Sequence, residues 1–144
     1  MKALSLDPSW AWLIFQGDKT IECRSWRTDY RGDLLICTTR RAFPGTIAGH
    51  ALLVAEILDV VPYRRDNHAD PACIDAPLDK STYAWMLGNF RAIKPFPVRG
   101  KQGLFDVADD LIEIVPDEYL NEGKNAQAFF DEYISPLIYK PVRL

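Results

Sequence analysis

The side chains best suited to binding a ligand or catalysing a reaction lie close together in residues 17–24. Lys19, Glu22 and Arg24 fall within six residues and alternate with apolar side chains. Side chains of a β-strand alternate between its two faces, so Glu22, Arg24 and Trp26 share one face of a strand here. A carboxylate and a guanidinium on a half-buried strand predict a polar site rather than plain packing.

Lys19 has the wrong parity for that face, but it follows Gly17 closely. A glycine that ends a helix in the left-handed conformation leaves the next residues in a turn, from which Lys19 can swing over the same cleft. An edge strand with a solvated charged face is the alternative, because a Glu–Arg pair two residues apart is commonly a surface ion pair worth about 0–1 kcal/mol.

The segment before this stretch predicts a strand and a short helix that present it. Residues 1–6 alternate as a strand, Asp7 suits a helix N-cap, and Pro8 suits the first helical position. Gly17 ends the helix. The apolar face that should pack the helix against the core consists of Trp10, Leu13 and Ile14.

Strand patterns then recur along the chain. They cover residues 34–39, 51–61, 81–103, 104–107 and 111–115. Residues 64–80 predict a polar excursion with a turn or two of helix. A last helix, capped by Asn125, carries an apolar stripe from Phe129 to Leu137.

Together these patterns predict one α+β domain over residues 1–144. We expect a small curved or closed β-barrel of about six mostly antiparallel strands, with one helix beside it near the N-terminus and another at the C-terminus.

Gly17, Lys19, Glu22 and Arg24 form the pattern Gly-x-Lys-x-x-Glu-x-Arg, which resembles the signature of the ASCH (activating signal cointegrator homology) domain family of the PUA-like superfamily. Flanking segments that also resemble the family are 8–11, 30–32, 83–85 and 100–103. The resemblance covers about residues 2–107 and leaves a C-terminal strand and helix extension, 108–144. It implies a PUA-like barrel, a cleft between the first helix and the barrel, and an association with RNA.

The cleft implied by this resemblance has cations and aromatic faces available for a nucleotide. Arg24 can hold a phosphate or a base edge through two parallel hydrogen bonds, and Lys19 adds a mobile point charge. The candidate stacking faces are Trp10, Trp26, Tyr30 and Trp85. The candidate phosphate contacts on the predicted barrel rim and loops are Arg31, Arg40, Arg41 and Lys101, although basic loops are commonly just solvated.

Three functions remain open at this point. The first is binding of single-stranded RNA, a nucleotide or a modified nucleoside without cleavage, in which case Lys19→Ala and Arg24→Ala should weaken binding with little loss of stability. The second is a metal-independent ribonuclease, with Lys19 and Glu22 sharing base and phosphorane-stabilising roles, or a nucleoside amidohydrolase. The resemblance implies acetylcytidine as substrate for a relative with threonine in place of Glu22, and that difference argues against this activity here.

The third function is an adaptor whose acidic C-terminal region binds another protein. Residues 1–101 carry 14 Lys and Arg against 11 Asp and Glu, whereas residues 102–144 carry 3 against 9. The basic first part is compatible with a local anion site, and the acidic second part with a protein partner.

Composition and sequence patterns limit the class of protein to which this chain can belong. Hydrophobic residues make up 48% of the chain and charged residues 26%, as is typical of a globular domain. The pattern of a membrane helix or signal peptide is absent, so we expect a cytoplasmic protein with no membrane association. Three cysteines without C-x-x-C spacing predict neither disulfides nor zinc, and we expect no metal and no cofactor.

Overall fold

Six strands form one sheet in the computed structural model, which describes residues 1–121 and 123–141. In chain order they are β1 (Lys2–Leu6), β2 (Ile21–Arg24), β3 (Gly32–Thr38), β4 (His50–Pro62), β5 (Tyr83–Pro97) and β6 (Phe105–Asp106). The strand order is β2-β5-β4-β3-β1-β6, and β1 and β3 are parallel whereas the other neighbouring pairs are antiparallel. The predicted α+β class with a mostly antiparallel sheet is confirmed.

Helical segments lie before, between and after the strands. They are α1 (Pro8–Gln16), α2 (Arg65–Ala72), a 3-10 turn (Asp109–Leu111), α3 (Asp117–Asn121), α4 (Gly123–Phe129), a π-helical segment (Phe130–Ile134) and a second 3-10 turn (Ser135–Leu137). Within the described ranges, no helix has the length and apolarity needed to cross a bilayer.

The sheet curls strongly, so that β2 approaches β1 although three strands lie between them in the sheet order. Arg24 at the end of β2 donates a hydrogen bond from Nη2 to the Ser5 carbonyl of β1 over 3.0 Å. One arginine side chain therefore bridges the two strands, as the curved barrel predicted from the sequence requires. Register shifts between β4 and β5, such as the one after Val54, allow this bending.

The main core fills the concave side of the sheet, with apolar residues from alternate strand positions and from the helices. Leu4, Ile36, Leu52 and Trp85 from the strands pack with Ile14 of α1 there, and Phe129 and Ile134 of the C-terminal helical region join them. A smaller cluster lies between β2 and α2, where Ile21 and Ala84 pack against Ala72. Both faces of β2 are therefore covered.

Helix α1 begins and ends where the sequence predicts. The Asp7 carboxylate accepts a hydrogen bond from the Ser9 N–H at 3.0 Å, and Gly17 has φ 87°, the left-handed conformation of a helix end. Its predicted packing face is partly wrong. Pro8, Ala11 and Ile14 are buried, whereas Trp10 is 38% exposed because it faces the cleft described below.

Two predictions for the C-terminal extension are wrong. Residues 111–115 form no strand: the 3-10 turn redirects the chain, and it meets β5 in a single bridge between Ile93 and Ile114. Pro116 then follows, and it has no N–H with which to extend the pairing. Asn125 does not cap the last helix, since it lies inside α4, which begins at Gly123.

Candidate functional site

The signature strand presents its charged face to the inside of the barrel. In the β2–β5 pairing Glu22 lies opposite Trp85 and Arg24 opposite Tyr83. Directly opposed residues point to the same side of a sheet, so Glu22 and Arg24 share the side of Trp85, which belongs to the main core. Ile21 and Cys23 face α2 instead. The predicted parity of β2 is confirmed.

Lys19 is a fixed, buried cation rather than a mobile one. Its side chain is 1% exposed. Nζ donates to the Ala72 carbonyl at 2.8 Å, lies 3.6 Å from Glu22 Oε1, and sits 4.9 Å from the centre of the Trp10 ring. Ala72 is the last residue of α2, where the helix dipole favours a cation. The prediction of a swinging lysine is wrong because α2 closes over the turn that carries it.

Glu22 connects Lys19 to Arg24, and we call these three residues the ion triad. Glu22 Oε1 faces Lys19 and also accepts from the Cys23 N–H at 3.2 Å, while Oε2 lies 3.3 Å from Arg24 Nη2. The same Nη2 donates to the Ser5 carbonyl. The triad therefore fixes the guanidinium of Arg24, whose side chain keeps 26% exposure.

The ion triad overturns one expectation about stability. A buried ion pair that loses one partner leaves an uncompensated charge, which is strongly destabilising. Lys19→Ala is therefore expected to cost stability, contrary to the expectation from the sequence alone.

Two adjoining hollows meet at Arg24. The inner hollow, of about 480 Å³, lies between α1, β2 and the segment after α2, and it is lined by residues that include Asp7, Trp10, Lys19, Glu22, Cys23, Ile74 and Leu78. The outer hollow, of about 790 Å³, is lined by residues that include Trp26, Thr38, Arg40, Arg99, Gly100, Lys101 and Gln102. Ser5, Arg24 and Thr39 line both. The charged face of the signature thus borders concave space.

Several cationic side chains line the outer hollow. Arg24, Arg40, Arg99 and Lys101 line it, and none of its described lining residues is acidic. Among the ion pairs of residues 1–121 and 123–141, none involves Arg40, Arg99 or Lys101. Three positive charges are therefore available to a ligand at this surface.

A tight turn brings two of these cations to the rim. The segment 99–103, which we call the glycine turn, packs directly on β1: a Cβ atom on Gly100 would lie 2.2 Å from Ser5 Oγ. A side chain at position 100 therefore requires Ser5 or the turn to shift. The sequence shows both cations of this turn, but only Lys101 was among the predicted ligand contacts, and the structure adds Arg99.

Four of the residues predicted as ligand contacts lie outside both hollows. Trp85 is fully buried, donates from Nε1 to the Trp26 carbonyl at 3.2 Å, and meets the Trp26 ring edge-to-face at 4.8 Å. Its prediction as a stacking face is wrong, because the curled sheet puts this face inside the core. Tyr30 donates to the Asp33 carbonyl at 2.6 Å.

The other two predicted contacts outside the hollows are arginines that have carboxylate partners. Arg31 Nη2 lies 3.4 Å from Asp59 Oδ1 and Arg41 Nη1 lies 3.2 Å from Asp7 Oδ2. The predicted residues that do line a hollow are Trp10, Lys19, Glu22, Arg24, Trp26, Arg40 and Lys101.

The cysteines near the site are poorly suited to nucleophilic chemistry. Burial raises the pKa of the Cys23 thiol; nearby Lys19 opposes this rise and Glu22 adds to it. Burial also raises the pKa of Cys37 to about 12. In the part of the chain that the structure describes, no group of three or more His, Cys, Asp or Glu side chains is arranged to hold a metal ion.

A strongly curved six-stranded sheet, with the inner hollow beside its first helix and the cationic outer hollow adjoining it, defines a small barrel-like α+β domain. The ASCH domain model matches residues 4–97, and this chain belongs to the ASCH domain family.

Solved ASCH structures share this fold. The chain is similar to ASCH from Zymomonas mobilis, with a TM-score of 0.61 and 17% identity over 76% of this chain and 88% of that chain. The alignment with a tyrosine-to-phenylalanine variant of ZmASCH covers 76% of this chain and 91% of that chain, with a TM-score of 0.55 and 17% identity.

A serine-to-alanine variant of ZmASCH covers 78% of this chain and 96% of its own, with a TM-score of 0.55 and 17% identity. No curated protein has a sequence that matches this chain. At 17% identity the structural likeness establishes the shared fold alone.

Proposed function

We propose that this ASCH domain binds single-stranded RNA or a nucleotide, with phosphate held in the outer hollow. The observation that carries the proposal is the convergence of Arg24, Arg40, Arg99 and Lys101 on one hollow whose described lining has no acidic residue. Like charges gathered without counterions repel one another, and an anionic ligand relieves that repulsion.

The polar character of the outer hollow fits a nucleotide better than a bare anion. Trp26 lines it beside Arg24 and offers an indole surface to a base, while Thr38, Thr39 and Gln102 add hydrogen-bonding groups. Aromatic stacking contributes about 1–3 kcal/mol per base in single-strand binding. Arginine supplies two parallel donors to phosphate oxygens, which a lysine does not.

Fluorescence anisotropy of a labelled single-stranded RNA tests the proposal. Arg40→Ala and Arg99→Ala should each weaken binding by about tenfold, the value of one charge-assisted contact. Arg31→Ala is the matched control, because it also removes an arginine charge but from outside both hollows. Its affinity should stay close to that of the wild type.

Two results would contradict the proposal. One is equal binding by the wild type and by both outer-hollow variants. The other is an equal loss in Arg31→Ala, which would show that binding depends on net charge and not on the hollow.

A metal-independent hydrolase acting on RNA or a nucleoside derivative is the second candidate. It is favoured by one observation: Lys19 and Glu22 both line the inner hollow, with Nζ and Oε1 only 3.6 Å apart. A ribonuclease fits better than an amidohydrolase that uses threonine, because Glu22 supplies no hydroxyl nucleophile.

Incubation of labelled RNA and of acylated cytidine in the presence of a metal chelator tests this second function. Turnover by the wild type that is lost in Glu22→Gln, with the fold checked by circular dichroism, would support it. Turnover that survives in Glu22→Gln would show that the activity belongs to a contaminant.

A further inference from the structure

The two hollows differ sharply in how their charges are compensated. In the inner hollow every charged lining residue has an opposite partner: Glu22 has Lys19 and Arg24, and Asp7 has Arg41. In the outer hollow Arg40, Arg99 and Lys101 have no carboxylate partner within the described ranges. One of the two adjoining hollows is therefore strongly cationic, whereas the charges of the other are balanced.

We infer that the preferred ligand is a nucleoside carrying a single terminal phosphate, with the phosphate in the outer hollow and the nucleoside in the inner one. This inference rests on the proposed function and narrows its ligand class. A ligand with one anionic end and a neutral body matches the charge distribution of the cleft. The terminal nucleotide of an RNA and a free mononucleotide share this chemistry.

An internal stretch of RNA matches the cleft less well. It carries a phosphate at every nucleotide, so a strand running through both hollows places a second phosphate in the inner one. There Asp7 and Glu22 are carboxylates, and the cations that could offset the new charge already hold them. Placing an anion beside these carboxylates without a free cation is unfavourable, because like charges repel.

The lining of the inner hollow suits a neutral nucleoside. Trp10 presents an indole that is 38% exposed, and Ile74 and Leu78 add apolar wall. Its volume of about 480 Å³ lies within the range of small-molecule sites. Apolar walls with a few fixed polar groups are the usual composition of such sites.

The junction of the hollows suits a phosphate. The backbone N–H groups of Gly100, Lys101, Gln102 and Gly103 donate no hydrogen bond to the protein within residues 1–121 and 123–141. Consecutive N–H groups in a turn form an anion-binding concavity where they point to the same side. Gly100 lies against Ser5, which lines both hollows and whose carbonyl accepts from Arg24, so the turn lies at the junction of the hollows.

Isothermal titration calorimetry with a matched ligand series tests the inference. The ligands are the four common ribonucleosides, their 5′- and 3′-monophosphates, inorganic phosphate, and one short RNA with hydroxyl or phosphate at each end. At least one monophosphate should bind about tenfold or more tightly than its nucleoside, and a terminal phosphate should tighten RNA binding similarly. The double variant Arg40→Ala, Arg99→Ala should strongly reduce both differences, and Arg31→Ala should preserve them.

The outcomes separate the inference from the function it rests on. If RNA binds through Arg40 and Arg99 but monophosphates bind no better than nucleosides, the inference is overturned and the proposed function stands. Equal affinity for RNA with hydroxyl and with phosphate ends also overturns it. A phosphate preference that is undiminished in the double variant Arg40→Ala, Arg99→Ala places the phosphate elsewhere and overturns the inference as well. If neither RNA nor nucleotides bind, both proposals fail.

Discussion

The inner and outer hollows share Arg24, but they use positive charge in opposite ways. Lys19 in the inner hollow is 1% exposed and has a carbonyl, a carboxylate and an indole around its ammonium group. Arg40 and Arg99 in the outer hollow have no ion-pair partner in the described part of the chain. Paired, buried charge fixes a structure, whereas unpaired charge at an open surface is available to a ligand.

This difference indicates that Lys19 and Glu22 of the signature have a structural role, whereas most cations available to the proposed ligand lie outside the signature. Lys19 and Glu22 hold the guanidinium of Arg24 and tie β2 to α2. Most of the free charge comes from two segments outside the signature, the loop at Arg40 and the glycine turn. Mutations in the signature should therefore act mainly on stability, and those in the outer hollow mainly on binding.

The largest expected effect is on stability, in Lys19→Met. The substitution removes the donor to the Ala72 carbonyl and leaves Glu22 with Arg24 alone, so the free energy of unfolding should fall by about 3 kcal/mol. Urea denaturation measures this change in the free energy of unfolding. Lys80→Met is the control, because Lys80 is exposed and its replacement should change stability by less than about 0.5 kcal/mol. Equal stability of the two variants would show that the buried Lys19 does not stabilise the fold.

The next effect is on binding, in Gly100→Ala. The added Cβ would lie 2.2 Å from Ser5 Oγ and 3.1 Å from Ser5 Cβ, so either Ser5 changes rotamer or the glycine turn moves and carries Arg99 with it. Both changes alter the surface that the two hollows share, because Ser5 lines both. Affinity for RNA or a mononucleotide should drop by about tenfold. Gly123→Ala is the matched control, since nothing lies within 4 Å of a Cβ there. Normal binding by Gly100→Ala would show that the position of the turn does not matter.

The smallest effect concerns a paired arginine outside both hollows. Arg91 donates to both oxygens of Asp33, and this hydrogen bonding holds the pKa of Asp33 below its usual value. A lowered carboxylate pKa contributes stability that is present above about pH 4 and is lost as the pH falls through the folded-state value.

Asp33→Asn should therefore lower stability at pH 7 by less than about 1 kcal/mol, because the Asp33 side chain is 42% exposed. The deficit should shrink once the pH falls below the lowered pKa, and RNA binding should not change. Urea denaturation at pH 7 and at acid pH measures it. A deficit that stays the same at both pH values, or a loss of RNA binding, would contradict this assignment.

Local pattern was sufficient to predict the elements that carry the signature. The cap at Asp7, the helix end at Gly17 and the parity of Glu22 and Arg24 all depend on neighbouring residues, and the structure confirms them. Such features follow from backbone chemistry that operates over a few residues.

The features that were not predicted from the sequence depend on tertiary contacts. The pairing of β2 with β5 places Trp85 beside Glu22, and the curled sheet encloses this face. Neither the pairing nor the enclosure follows from local pattern. The burial of Lys19 depends on the carbonyl of Ala72, 53 residues away in the chain. Arg99 reaches the outer hollow because Gly100 packs on Ser5, a contact between distant segments that no local pattern encodes.

The salt dependence of RNA binding tests whether the unpaired cations of the outer hollow neutralise ligand phosphate. The logarithm of the binding constant should fall linearly with the logarithm of salt concentration. In the double variant Arg40→Ala, Arg99→Ala the slope should be shallower by about 1 for each cation removed, and in Arg31→Ala it should match the wild type. Identical slopes for the wild type and the double variant would contradict the account.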